Sequence, residues 1–454
     1  MSFIKNIARR LGVDKSIAYS SGGRIIGGFS GVASAFFITS FLTGVEQGFY
    51  YTFGSILALQ IFFELGLTGI MTQYVAHEAS HLCLDDNNEY QGEARYKSRL
   101  ASLLKFCGKW YSVLSILIFM LLFIVGNVYF NKYGQTHDDV NWRMPWFIIC
   151  ISTAFKILQS PLNSILNGLG YVKEMCKAGF YQQMILPVFT WLGLICGLKL
   201  YVIGIGYLLS VIYWQLFIYR SGLYSILYNL WKTPISEKVS YMKEIFPFQW
   251  RIALSWVGGY FIFQLFNPVL FATEGAVVAG QMGMTLQFIN SIHGFSFSWM
   301  STKIPLYSKL IALKDYVQLD RLFNKTLWQM VLMSSLMIAS LFIVVWLLNV
   351  TQFTLKGNIL ANRFLSYIPM ILMVIPSFLQ QFTSSWATYL RCHKKEPFLL
   401  NSICGGIAVS LSTFILGNLY GLYGITIGYC VIQVLFFPWG YHLYKSNKIK
   451  WHGK

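Results

Sequence analysis

Residues 63–82 read FELGLTGIMTQYVAHEASHL, and two readings of that stretch lead to two different proteins. It begins as an apolar run and turns polar towards its end. Within it, His77-Glu78-Ala79-Ser80-His81 fits the zinc-hydrolase pattern H-E-x-x-H. In that pattern two histidines one helical turn apart hold a metal, and the glutamate acts as general base. Either this is the metal site of a membrane hydrolase, or it is the polar exit of a membrane-crossing helix with another purpose.

Composition narrows the choice. The 454 residues are 56% hydrophobic and 17% aromatic, with only 11% charged, and the mean hydropathy is +0.54. A soluble chain of this size carries about a quarter charged residues on its surface. The apolar residues recur in runs of about 20, the length of a helix that crosses a bilayer core. The expected class is an all-α polytopic membrane protein. The start, MSFIKNIARRLGVDKS, is basic and amphipathic and does not resemble a cleavable signal peptide. The eight cysteines show no CxxC pair and are read as reduced and unpaired.

Twelve spans are expected, at 20–42, 48–72, 107–129, 144–170, 178–197, 200–219, 246–270, 275–300, 326–349, 363–390, 398–417 and 421–444. The net charge is +18, and its distribution explains it without nucleic acid. The termini and even-numbered loops hold about 27 of the 35 Lys and Arg. Odd-numbered loops hold Lys132, Arg143, Lys199, Lys356 and Arg363. By the positive-inside rule both termini are cytoplasmic, and the basic excess faces anionic membrane lipids.

The two halves echo each other. At an offset of 222 residues, LYVIGIGY (200–207) falls on LYGITIGY (422–429), and Lys173-Glu174 falls on Lys395-Glu396. At an offset of 227, Arg24 pairs with Arg251 and Gln60 with Gln287. Six spans per half give a parallel repeat with a seam between the halves, where transporters place substrate near mid-membrane. The expected domains are a six-helix lobe over 1–220, a cytoplasmic linker over 221–245, and a six-helix lobe with a basic tail over 246–454. No outward loop is long enough to house a catalytic domain. The inward loops 76–106 and 301–325 contain YKSRLASLLKFCGKW and YSKLIALKDYVQLDRLFNKTL, whose patterning fits interfacial helices.

Ionisable residues within spans are costly and are functional candidates. Arg24 and Arg251 lie about one turn inside the cytoplasmic ends of spans 1 and 7. They either snorkel to headgroups or place two guanidiniums at the inner mouth of the seam, suited to bidentate phosphate contact. Lys156 in ISTAFKILQSPLNSILNG is too deep to snorkel cheaply, and needs a cavity or a carboxylate partner. Glu64 is that partner, a protonatable coupling group, or a neutral carboxyl bonded to backbone. The glycines of GGRIIGGFSGVAS and the prolines at 161, 187, 268, 369 and 376 suit helices that pack closely and bend.

A catalytic zinc needs a third protein ligand and a wet pocket, and no second motif supplies the ligand. His77-Glu78 and His81 also fall at the headgroup boundary, where polar residues are explained by the helix leaving the bilayer. The metalloprotease is therefore the lesser reading; no metal and no enzymatic activity are expected.

The run FELGLTGIMTQYVAHEASHL closes the second span, follows a glycine-rich first span, and precedes a basic amphipathic loop. In this it resembles Wzx-type polysaccharide flippases of the MOP superfamily, to which the MATE exporters and the lipid II flippase also belong. The resemblance implies a V-shaped, MATE-like fold working by alternating access. Its cargo would be an undecaprenyl-pyrophosphate-linked oligosaccharide moved across a bacterial inner membrane for O-antigen, lipopolysaccharide, capsule or exopolysaccharide assembly. Carried onto this chain, Arg24 and Arg251 would meet pyrophosphate and Lys156 would extend the positive potential. By span position Gln60, Gln287, Asn163 and Asn290 would address sugar hydroxyls. Glu64, His77 and Glu78 are the coupling and gating candidates. No cofactor is implied; a proton or sodium gradient would drive the cycle. Polysaccharide polymerase and chain-length machinery are the expected partners. The alternative is a cation-coupled MATE-type multidrug exporter, which would want acidic residues in its lumen.

Overall fold

The computed structural model describes residues 15–452 apart from 65–66, 86–88, 135–139, 247–248, 251–261, 263, 356–357 and 394. The described chain is predominantly helical, with two short antiparallel hairpins. Six of its helices are long and apolar enough to cross a membrane, or up to seven if the bent pair Gly44–Glu64 and Leu67–Ala79 is one span. It is a multi-pass membrane protein. Eleven of the twelve expected spans fall on described helix; the span at 246–270 lies largely outside the described residues.

Packing divides the chain into two compact units. The first is Met1–Ile26, Leu59–Lys132 and Asn141–Trp256; the second is Gly27–Ala58, Tyr133–Val140 and Val257–Lys454. This partition differs from one drawn at 220 and 246, because Gly27–Ala58 packs with the C-terminal half.

In order, the helices are α1 (Lys15–Phe41), α2 (Gly44–Leu57), α3 (Ile61–Glu64), α4 (Leu67–Ala79), α5 (Ala94–Tyr133), α6 (Arg143–Gly168) and α7 (Val172–Ile195). Then follow α8 (Tyr201–Arg220), α9 (Leu223–Lys232), α10 (Phe266–Thr273), α11 (Ala276–Ala312), α12 (Tyr316–Thr351), α13 (Tyr367–Arg391) and α14 (Leu399–His452).

In the first unit α6 packs on α4 and α8, and α8 packs on α7. Small residues set these crossings. A Cβ on Gly168 would stand 2.7 Å from the Thr72 carbonyl oxygen, and one on Gly204 3.0 Å from the Ile149 nitrogen. Ser152, sealed beside Gly204, donates to the Gly204 carbonyl at 2.8 Å. The run YKSRLASLLKFCGKW forms the first turns of α5 instead of a separate surface helix. Its Leu100, Ala101, Leu103, Leu104 and Cys107 are buried, so packing, not a headgroup layer, covers its apolar face. The inter-lobe linker is tied to the same turns. The Ser98 hydroxyl accepts from the Ser236 and Glu237 amides, each at 2.8 Å, and Lys105 donates to the Thr233 carbonyl at 3.0 Å.

In the second unit α11 is central and packs on α2, α10, α12 and α13. Two small-x-x-x-small pairs, Gly44/Gly48 and Ala276/Gly280, let α2 and α11 meet backbone to backbone. A Cβ on Gly48 would fall 1.9 Å from the Ala276 carbonyl oxygen. Thr43 and Glu46 close a capping box at the start of α2. The break between the last two expected spans appears inside α14 at Gly421, with φ of 56°. Only glycine adopts that conformation cheaply, and Glu274 accepts from the freed Leu422 amide at 2.6 Å.

Candidate functional site

The first unit holds an intramembrane polar cluster on one face of α6. Lys156, Ser160 and Asn163 recur at i, i+4 and i+7, which sets them on one stripe of the helix. Glu64, at the end of α3, accepts from the Ser160 hydroxyl and is in electrostatic contact with Lys156. The Lys156 ammonium also lies 4.8 Å from the Tyr207 ring centroid, within cation–π range. The buried Tyr111 hydroxyl, which has no partner of its own, feels the Glu64 charge. Lys156 itself is exposed while Glu64 and Asn163 are half-buried.

A second cluster stands where α4 ends. Glu78 is 3% exposed. Arg99 Nε donates to its Oε1 at 3.0 Å, while the other guanidinium nitrogens donate to Glu244 at 2.7 Å and Glu237 at 3.4 Å. The Tyr74 hydroxyl donates to the Glu244 carbonyl. Burial raises the Glu244 carboxyl, but the Arg99 hydrogen bond, the Ser240 amide and the Arg99 charge outweigh it and hold it below the ordinary value.

This geometry bears directly on the H-E-x-x-H pattern. The motif's glutamate is turned inward onto an arginine, which withdraws it from service as a general base. The His77 side chain is exposed, with Nδ1 3.9 Å from Glu78, and His81 stacks flat on Tyr96 at 4.0 Å. Among the described residues no three His, Cys, Asp or Glu side chains converge as a metal centre requires.

The other expected residues are placed unevenly. Arg24 lies on α1, but its side chain falls outside the described residues, as does Arg251 altogether. Gln60 is half-buried in a 3-10 turn at Ala58–Gln60. Gln287 joins the Tyr51 hydroxyl to the Gly31 carbonyl within the second unit. Asn290, nearly one turn on, is exposed. Glu64, Lys156 and Asn163 are thus brought to one wall of the first unit, and Gln287 and Asn290 to the second.

The sequence matches no family model and no curated protein. Solved structures are similar over nearly the whole length. An inward-facing multidrug resistance MATE family transporter of the MOP superfamily superposes with a TM-score of 0.66 at 14% identity, covering 95% of each chain. The lipid II flippase MurJ, in an inward closed conformation, gives 0.61 at 15% identity over 96% of this chain and 89% of its own. A MOP superfamily transporter from Pyrococcus furiosus gives 0.58 at 13% identity over 95% and 96%. The fold is the one these solved transporter structures share.

Within this fold, the network that sequence reasoning missed joins Gln47 and Arg363. Arg363 is 5% exposed; it donates to the Leu42 carbonyl at 2.7 Å and to Gln47 Oε1 at 3.4 Å. Gln47 Nε2 in turn donates to the Gly280 carbonyl at 2.8 Å. Arg363 had been visible only as a cation in an outward loop. The Gly44/Gly48 and Ala276/Gly280 spacings were the signals that could have located its partner surface. For Arg99 the signal was a charge between residues that the helical period places inside.

Proposed function

We propose that this protein is a flippase that carries a polyprenyl-pyrophosphate-linked oligosaccharide from the cytoplasmic to the outer leaflet of a bacterial inner membrane by alternating access. The observation that carries the reading is Lys156, an exposed cation on α6 whose ammonium lies 4.8 Å from the Tyr207 ring. A MATE-type exporter of cationic drugs needs uncompensated carboxylates in its lumen. Here Glu64 is half-buried and within electrostatic reach of the exposed Lys156, and Arg24 and Arg251 would make the lumen cationic. Such a lumen suits a pyrophosphate. A lipid-linked substrate is also what the neighbour called a lipid II flippase carries by its name.

In this reading Arg24 and Arg251 bind pyrophosphate, Lys156 extends the positive potential, and Gln60, Asn163, Gln287 and Asn290 meet sugar hydroxyls. Twelve spans with both termini in the cytoplasm give the topology, and polymerase and chain-length proteins receive the product. The α2–α11 contact joins segments that the repeat assigns to different halves, at the end the charge pattern places outside.

The test is reconstitution in liposomes with a fluorescent polyprenyl-pyrophosphate oligosaccharide. Wild type should expose the label to an outside quencher, and Arg24→Ala with Arg251→Ala should not. Transport of a cationic dye with no movement of the lipid-linked sugar would establish the exporter instead.

A further inference from the structure

Helix α9 has two unlike faces. Leu223, Ile226, Leu227 and Leu230 form its buried side. Tyr224, Tyr228 and Trp231 recur at i, i+4 and i+7, which sets them on one stripe, and they are 55%, 47% and 42% exposed. The Tyr224 and Tyr228 rings stack at 6.3 Å, and the Lys232 ammonium lies 4.3 Å from the Tyr228 ring centroid. A helix face bathed by water carries charged and short polar side chains. Three large aromatics in their place are the pattern of a membrane boundary, where the ring body is apolar and its polar end stays wet.

Both ends of α9 are held where membrane-crossing helices of the first unit leave the bilayer. At its start, α8 is long and apolar enough to cross, and it closes at Gly222, whose φ of 75° breaks the helix. α9 begins at the next residue. At its end, the Trp231 indole lies against α5, where a Cβ on Gly108 would stand 2.8 Å from Trp231 Cζ3. Lys105 of α5 donates to the Thr233 carbonyl at 3.0 Å. α5 is also long and apolar enough to cross, and its exposed side chains change character just beyond this level. Lys109 and Trp110 are exposed, whereas from Val113 to Val128 every exposed side chain is apolar. α9 is about 15 Å long. With both ends at the exit level it runs along the membrane surface instead of projecting from it.

The aromatic stripe continues the outer surface of α8. Ile212, Leu216 and Tyr219 recur at the same spacing there, and are 45%, 53% and 72% exposed. The Tyr219 ring then meets Tyr224 at 6.4 Å across the break. Charge identifies what this surface faces. Residues 219–232 contain Arg220 and Lys232, both exposed, and no Asp or Glu. Lys109 adds a third exposed cation on α5 beside Trp110. Cations around an aromatic stripe at this level complement anionic headgroups.

We propose that α9 is an anionic-phospholipid-binding helix lying in the headgroup layer, on the side that the charge pattern assigns to the cytoplasm. Tyr224, Tyr228 and Trp231 insert their rings between lipids, and Arg220 and Lys232 pair with lipid phosphates. The segment 221–245 is then more than a linker through water, because its first half is a membrane anchor. The inference concerns a surface and uses no transport step, so it stands or falls apart from the flippase reading.

The experiment is tryptophan fluorescence of the full-length protein in nanodiscs, with the difference between wild type and Trp231→Phe isolating Trp231. Lipid brominated near the headgroup end of its acyl chains should quench that difference signal, and the neutral aqueous quencher acrylamide should reach it poorly. Replacing part of the phosphatidylcholine by phosphatidylglycerol should lower acrylamide access by a further factor of about two. Lys232→Gln with Arg220→Gln should remove this lipid dependence while leaving quenching by brominated lipid in place. Tyr224→Ser with Tyr228→Ser should raise acrylamide access by about twofold or more. A Trp231 signal that acrylamide quenches freely and brominated lipid does not overturns the proposal. So does a signal shielded from both quenchers, which would mean that a protein surface covers the stripe. Equal access in the two lipid mixtures overturns the assignment of anionic lipid.

Discussion

Arg99 Nε donates to Glu78 Oε1 at 3.0 Å, in a place where neither side chain has much water. The arginine's remaining nitrogens reach Glu237 and Glu244, so one guanidinium on α5 holds the end of α4 and the far end of the linker together. Removing it strands a buried carboxylate, and breaking a buried pair costs more than the pair contributes. Arg99→Ala should destabilise the protein by on the order of 3 kcal/mol. Glu78→Gln, which keeps an acceptor, should cost clearly less. Thermal unfolding in detergent measures both; equal effects would show that charge, not stranding, dominates.

Acid should loosen two ends that the charge pattern assigns to the cytoplasm. Glu244 is held low in the fold, so its stabilisation is present above the ordinary carboxylate pKa and fades as pH falls through the lowered value. His452 meets His393 at 3.2 Å between Nε2 atoms. Burial lowers the His452 pKa, His393 and Lys448 lower it further, and Asp320 opposes them. A lowered imidazole stays neutral in the fold, so its contribution is complete above about pH 6.5 and is lost below it. Hydrogen exchange should rise at the end of α14 before it rises at 236–245 as pH is lowered; the reverse order would contradict this assignment.

The α2–α11 contact should be lockable. A cysteine at Gly44 would place its Cβ 3.7 Å from a Val277 methyl carbon. Oxidised Gly44→Cys/Val277→Cys protein should lose at least tenfold in translocation and recover on reduction. Full activity in the cross-linked form would mean that this contact never opens.

Lys156→Met should remove the exposed cation from this stripe of α6 and reduce lipid-linked sugar flipping by tenfold or more, with Lys156→Arg retaining most activity. If Lys156→Met instead gains uptake of a cationic dye, the charge sign of this wall alone sets the substrate class.

Chelation should be without effect. EDTA treatment, His77→Ala and His81→Ala should each leave flipping within about twofold, because Glu78 is engaged by Arg99 and His81 by Tyr96. Stoichiometric zinc that both variants lose would reverse the conclusion drawn from that geometry.

The helical membrane architecture was legible because it rests on short-range chemistry. Runs of about 20 apolar residues need no tertiary context to be read, and the Gly421 break sits where the sequence already separated two spans. That Lys156 lies within electrostatic reach of Glu64 was legible as a need, since Lys156 is too deep in its span to snorkel cheaply. The partition of the chain was not. Gly27–Ala58 joins the second unit through Gly44, Gly48, Ala276 and Gly280, and a glycine that permits close approach looks in sequence like one that merely bends a helix. Arg99 was hidden for a related reason. A positively charged amphipathic run reads the same whether its apolar face meets lipid or protein, and only the fold shows that Glu78 waits on the other side.

The staple at Ser98 has a mechanical consequence. The 25 residues from 221 to 245 would as free chain act as a slack segment that transmits no force. Bound at Thr233, Ser236 and Glu237, it is instead a strut carried by α5. Residues 233–237 therefore move with α5 as one piece. Ser98→Ala would release the Ser236 and Glu237 amides to exchange with solvent.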